Sequence, residues 1–141
     1  MKRWYYLLFV FLFQCSDSPE DMIPNLSGYW EIEKVVLPDG TERTYSISLT
    51  IDYISINDSL KGFRKKLKPN LDGSYEASDD IESLELKTVD NKLLIEYTTA
   101  LSTWTERVLK AEENVLHLKN DANTTYIYKR YEPLNITHEQ T

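Results

Sequence analysis

The stretch Ser83-Leu84-Glu85-Leu86-Lys87-Thr88-Val89-Asp90-Asn91-Lys92-Leu93-Leu94-Ile95-Glu96-Tyr97 decides the fold. Side chains of an extended chain alternate between two faces, so Leu84 and Leu86 share a side, and so do Leu93, Ile95 and Tyr97 while Glu96 faces water. Asp90-Asn91 between the two runs carries turn chemistry. This is a pair of half-exposed strands joined by a short turn.

Working outward, the pattern repeats. From Leu26 onward, runs rich in β-branched and aromatic residues are separated by Pro38-Asp39-Gly40, Asn57-Asp58, Asn70-Leu71-Asp72-Gly73, Ala100-Leu101-Ser102, Glu112-Glu113-Asn114 and Asn120-Asp121-Ala122-Asn123. With Asp90-Asn91 these make seven gaps and eight strands, at roughly 28–37, 46–56, 60–68, 74–77, 81–89, 92–99, 103–111 and 115–131. The last span divides into 115–119 and 124–131, and 74–77 is short enough to lead into its neighbour. No stretch holds a helical period for three turns. The spacing predicts an all-β, antiparallel sandwich or barrel. Two runs change phase midway: Trp30 and Ile32 give way to Val35 and Leu37, and Ile47, Leu49, Ile51 and Tyr53 give way to Ile54 and Ile56. A β-bulge shifts parity and bends a strand, which a small sheet needs in order to close on itself and remove its edges.

The chain has 141 residues, with 16 Lys and Arg against 23 Asp and Glu, a net charge of −7. One domain is expected at this length, and an acidic surface speaks against nucleic acid as a partner. One cysteine makes no internal disulfide, and with two histidines it builds no metal cluster. No metal and no cofactor is expected.

The amino terminus opens Met1-Lys2-Arg3 and continues with the apolar run Trp4 to Phe13 before Gln14-Cys15-Ser16-Asp17. That is the layout of a signal peptide, and ten residues of helix span only about 15 Å, too short for a bilayer. The cysteine just after the apolar run resembles the lipobox of bacterial lipoproteins, with Leu12 three residues before it, although Gln14 stands where that motif has a small residue. The resemblance implies lipidation at Cys15 and a protein anchored at the outer membrane or cell surface of a Gram-negative bacterium. The expected organisation is a signal peptide at 1–14, the lipidated cysteine and an acidic tether at 15–25, a barrel domain at 26–133 and a polar tail at 134–141.

Leu26-Ser27-Gly28-Tyr29-Trp30 resembles the Gly-x-Trp signature that opens lipocalin and lipocalin-like domains. The resemblance implies an eight-stranded up-and-down barrel in which Gly28 allows a tight approach of backbone and Trp30 closes one end. A late basic residue then packs over that tryptophan, with Arg130 the match and Lys129 its alternative. The chain lacks the cysteine pair and carboxy-terminal helix of the longer members, which places it near the short exported bacterial lipocalin-like proteins.

The aromatic set Trp30, Tyr53, Phe63, Tyr75, Tyr97, Trp104, Tyr126 and Tyr128 either lines a pocket for a small apolar or amphipathic ligand or fills the barrel. The expected ligand contacts are Phe63, Lys65, Tyr97, Trp104, Tyr126 and Tyr128. Alternation in Lys61-Gly62-Phe63-Arg64-Lys65-Lys66-Leu67-Lys68 puts Lys65 beside Phe63 and Leu67 and turns Arg64, Lys66 and Lys68 to the other side. That outer row is either a solvated face or a contact for an envelope protein or glycan. Asp79, Asp80, Glu82 and Glu85 read as a charged turn. No catalytic residue is assigned: His117 and His138 have no Ser, Cys or metal-ligand partners at a catalytic spacing. The expectation is a binding protein rather than an enzyme.

Overall fold

A computed structural model describes residues 17–133. The expected signal segment 1–14, Cys15 and the tail 134–141 lie outside the described residues. The chain enters through a short helix, α1 (Pro19–Met22), and a 3-10 turn (Ile23–Asn25). Nine strands follow among the described residues: β1 (Gly28–Val36), β2 (Glu42–Thr44), β3 (Ile51–Ile56), β4 (Lys61–Pro69), β5 (Tyr75–Val89), β6 (Lys92–Thr98), β7 (Thr103–Ala111), β8 (Val115–Asn120) and β9 (Thr125–Arg130).

From β3 to β9 each strand pairs antiparallel with the next, and β1 pairs with β3 on one side and β9 on the other. Eight strands therefore close into an up-and-down barrel, with β2 continuing the line of β3 along the far half of β1. Left-handed residues sit in the turns that the sequence marks: Leu60, Asp90, Asn91 and Asn123, with Gly40 and Gly73. Side chains stabilise the tightest of them, for Asn57 Oδ1 accepts from the amides of Ser59 and Lys61, and Asn120 Oδ1 accepts from that of Thr124.

Several boundaries differ from the sequence expectation. The register of β1 against β9 skips Glu33, a bulge in the first strand. The run 46–56 holds no such bulge, since β3 pairs with β4 without a break from Ile51 opposite Leu67 to Ile56 opposite Gly62. Its apolar phase changes because β3 carries apolar side chains on both faces, with Tyr53 outside against Tyr29 and Phe63, and with Ile54 and Ile56 inside, and residues 45–50 form a gap before the strand. In that gap Tyr45 N donates to Glu33 O at 2.8 Å and Ser48 Oγ donates to Ile32 O at 3.3 Å, which partners two carbonyls of β1. The pieces 74–77 and 81–89 are one strand, β5, in which residues 78–80 bulge opposite Lys66 alone. Asp79-Asp80 is thus a bulge rather than a turn.

The expected tether is folded from Pro19 onward. Ser18 caps α1 by accepting from Asp21 N, Pro19 fills the first turn, and Glu20 and Asp21 lie at its positive end. The same acidic composition that suggests a solvated linker is helix-start chemistry. This entry plugs one end of the barrel with Met22 and Leu26, both buried in the interior core alongside Trp30, Leu93, Val108 and Leu116. Trp30 is fully buried, and its Nε1 donates to Leu26 O at 2.8 Å.

The Arg130 guanidinium lies over the Trp30 ring, 3.8 Å from its centroid. It donates from Nε to Glu113 O, from Nη1 to Ser27 O and from Nη2 to Asn25 O. Gly28 has φ +129, and a Cβ there would meet Arg130 Nη1 at 2.2 Å, so both backbone conformation and space demand glycine.

Candidate functional site

Two places combine polar and aromatic chemistry: the barrel interior toward its open end, and a cleft on the outside of its wall. Inside, the register sets Asp52 opposite Trp30, Arg64 opposite Ile54, Glu82 opposite Arg64, and Glu106 opposite Ile95. The interior is apolar beside the plugged end and charged above it. Asp52, Arg64 and Glu106 are all buried.

Arg64 organises this upper half. Its guanidinium stacks over the Tyr97 ring at 4.1 Å from the centroid. Its Nε donates to Glu82 Oε2, and its Nη1 lies 3.4 Å from Glu106 Oε2. Lys66, one step nearer the open end, donates to Asp52 Oδ1 at 2.8 Å. Tyr97 itself is fully buried and stacks on Trp104 with centroids 5.3 Å apart. The Tyr97 hydroxyl is buried without a hydrogen-bond partner among the described residues.

Burial works against the charge on Arg64, yet Tyr97, Glu82 and Glu106 outweigh it and hold its pKa above the ordinary value. Burial pushes the Glu106 carboxyl up, against the opposing pull of Arg64. The Tyr97 and Tyr128 hydroxyls are likewise pushed well up by burial. A guanidinium, two carboxylates and a stacked ring pair therefore meet in the middle of the barrel. No group of three or more His, Cys, Asp or Glu side chains among the described residues is placed to hold a metal ion.

Of the expected ligand contacts, Tyr97, Trp104, Tyr126 and Tyr128 face inward, Trp104 and Tyr126 being partly exposed and Tyr97 and Tyr128 buried beneath. Phe63 and Lys65 do not join them. The register places Gly62, Arg64 and Lys66 on the inner face of β4, so Phe63 and Lys65 point out of the barrel. The alternation in β4 is real but inverted: its inner positions are polar, and its outer aromatic has a partner outside, the Tyr53 ring, 5.9 Å away. Of the basic row expected outside, Arg64 and Lys66 are therefore inside, and Glu82 is a ligand of Arg64 rather than part of a turn.

The outer aromatic contacts continue as a ladder. Tyr53 meets Tyr29 at 4.7 Å, Tyr75 stacks on Tyr29 at 5.4 Å with rings 14° apart, and Tyr131 meets Tyr75 edge-on at 6.5 Å. Because Tyr75 begins β5 while Tyr29 belongs to β1, these stacks pin the β4–β5 hairpin tip across the outside of the barrel wall. Between the tip, the segment that leaves the sheet and the end of β9 lies a cleft of about 640 Å³. Its lining is residues 46–49, Lys68 to Leu71, Gly73 to Tyr75, and 129–133, with Glu31 and Asn114. Ile47, Leu49 and Leu71 line it while 80%, 77% and 79% exposed, three aliphatic side chains with little among the described residues to cover them. The sequence reading passed over this site. Its one visible signal is Leu71, a large apolar residue within the turn Asn70-Leu71-Asp72-Gly73.

A family model of the lipocalin-like domain matches residues 26–118. A lipocalin-like protein from Bacteroides uniformis is similar in structure, with a TM-score of 0.48 and 12% identity, covering 76% of this chain and 99% of its own. An uncharacterized protein from Bacteroides eggerthii gives a TM-score of 0.47 at 15% identity, covering 74% of this chain and 98% of its own. No curated protein matches the chain. The matched span runs from the glycine and tryptophan of the plugged end to the strand that carries Leu118, and by that match the chain belongs to the lipocalin-like domain family.

Proposed function

We propose that this protein is an exported, lipid-anchored binding protein of the bacterial cell envelope that takes a small amphipathic molecule in the cleft outside its barrel. The cleft itself carries the reading: about 640 Å³, within the range of small-molecule sites, edged by three largely exposed aliphatic side chains and two tyrosines among many polar and charged groups. The barrel interior is a weaker candidate, because Arg64 and its partners occupy it. The signal-like segment and Cys15 support export and lipidation, which would hold the domain at the outer membrane or cell surface. The reading assigns no catalytic residue.

Native mass spectrometry of the full-length protein, purified from its own envelope, tests the proposal. A co-purifying small molecule that disappears in Leu71→Asp supports it; protein that is empty in both forms and ignores a panel of amphiphiles contradicts it. Cys15→Ser should release the protein from the membrane fraction without unfolding the domain. A second reading is favoured by the filled interior: a barrel that acts as a rigid module contacting an envelope protein or glycan. That reading gains if the empty protein instead retains a macromolecular partner in cross-linking on intact cells.

A further inference from the structure

We infer that the ligand of the cleft is an anionic amphiphile, with a carboxylate or phosphate head held between Lys68 and Lys129 and an apolar body laid along Ile47, Leu49 and Leu71. The inference rests on the cleft being a binding site and names the class of molecule it takes.

The two lysines are the reason. Lys129 faces Glu31 at 3.8 Å and Lys68 faces Glu76 at 3.9 Å, the two longest ion pairs among the described residues. Neither distance is a hydrogen bond, whereas Lys34, Lys66 and Lys87 reach their carboxylates at 2.8 to 3.0 Å. The cleft ammonium groups thus keep donors that their protein partners do not engage. An anionic oxygen arriving from the ligand makes the short, charge-assisted contact that the glutamates do not.

The rest of the lining agrees. Lys68, Lys129 and Arg130 balance Glu31, Glu76 and Glu132 at the cleft, a locally even charge in a chain whose net charge is −7. Arg130 spends its donors on three backbone carbonyls and its face on Trp30, so it contributes field rather than a contact. The aliphatic trio supplies the apolar half, with Tyr75 and Tyr131 as the rigid wall. The shared chemistry fits either a free fatty-acid-like molecule or the head and first carbons of a membrane lipid.

The full-length protein is titrated calorimetrically with decanoate, decyl phosphate and decanol, each below its aggregation threshold. Both anions are expected to bind about tenfold tighter than decanol, the scale of one charged hydrogen bond. The double variant Lys68→Gln, Lys129→Gln should erase that difference. Decanol binding as tightly as the anions in the wild type overturns the anionic class while leaving the cleft a binding site. Binding of none of the three, by a protein that also co-purifies empty, defeats the binding reading itself. The source is separated with Cys15→Ser protein and phosphatidylcholine vesicles with or without phosphatidylglycerol. Lysine-dependent association with the anionic vesicles assigns the head group to a membrane lipid; monomer binding without vesicle association assigns it to a free amphiphile.

Discussion

Arg130 and Arg64 lie over aromatic rings at nearly the same height, 3.8 Å above Trp30 and 4.1 Å above Tyr97, and do opposite things. Arg130 gives its donors to the carbonyls of Asn25, Ser27 and Glu113, so it ties the entry turn, the start of β1 and the β7–β8 turn to one point. Arg64 gives its donors to Glu82 and Glu106, which leaves a network of charges inside the barrel. The first is a clamp made of backbone and closes an end. The second is a polar network across the middle of the barrel, where its charges meet any apolar ligand body. A cation over a ring is therefore not a functional signature by itself; the partners of its remaining donors decide what it does.

The largest way to break this comparison is at the clamped end. Trp30→Ala should cost about 3–5 kcal/mol in a denaturant titration, the usual range for a buried large aromatic. A cost under about 1 kcal/mol would mean that the plugged end contributes little to the fold.

Arg64→Met comes next, at about 3 kcal/mol near neutral pH, because it strands a buried carboxylate. Its pH dependence sharpens the contrast with Arg130. Burial raises the Glu106 carboxyl above its ordinary value, and Arg64 is the main effect opposing the rise. A native pKa above the unfolded one favours the native state at low pH, and this advantage is lost as pH rises through the native value. Without Arg64 that native value moves higher still. The deficit of Arg64→Met should therefore be smallest near about pH 4, around the unfolded pKa of a glutamate, and grow toward neutrality. Equal deficits in acid and at neutral pH would contradict the network.

Arg130→Lys is the smallest effect, about 1–2 kcal/mol, since an ammonium keeps the charge over Trp30 but cannot reach three carbonyls. Its deficit should change little between acid and neutral pH, because lysine keeps the positive charge that the nearby Glu113 carboxylate meets.

Much of this frame is legible in the sequence. The turns announce themselves, Gly28 and Trp30 mark the start of the barrel, and the second half of β5 and all of β6 alternate cleanly. The faces of β4 are not legible, because alternation is read on the assumption that apolar means inside. Here the open half of the interior is charged, while Tyr29, Tyr53 and Phe63 build an aromatic contact outside. Ile47 and Leu49 mislead for a related reason. They sit in phase with Ile51 and Tyr53, yet the backbone at 45–50 leaves β1, and no pairing holds them in the wall. Arg64, Glu82 and Glu106 lie far apart in sequence on three different strands, so only strand register shows that they meet.

The central claim is that ligand binds outside a filled barrel. Methyl-detected NMR of the isotope-labelled full-length protein, titrated with decanoate, tests it most directly. The account predicts shifts at Ile47, Leu49 and Leu71, with the interior methyls of Ile95 and Leu118 unmoved; shifts concentrated at Ile95 and Leu118 while the cleft methyls stay still would place the ligand in the barrel and contradict it.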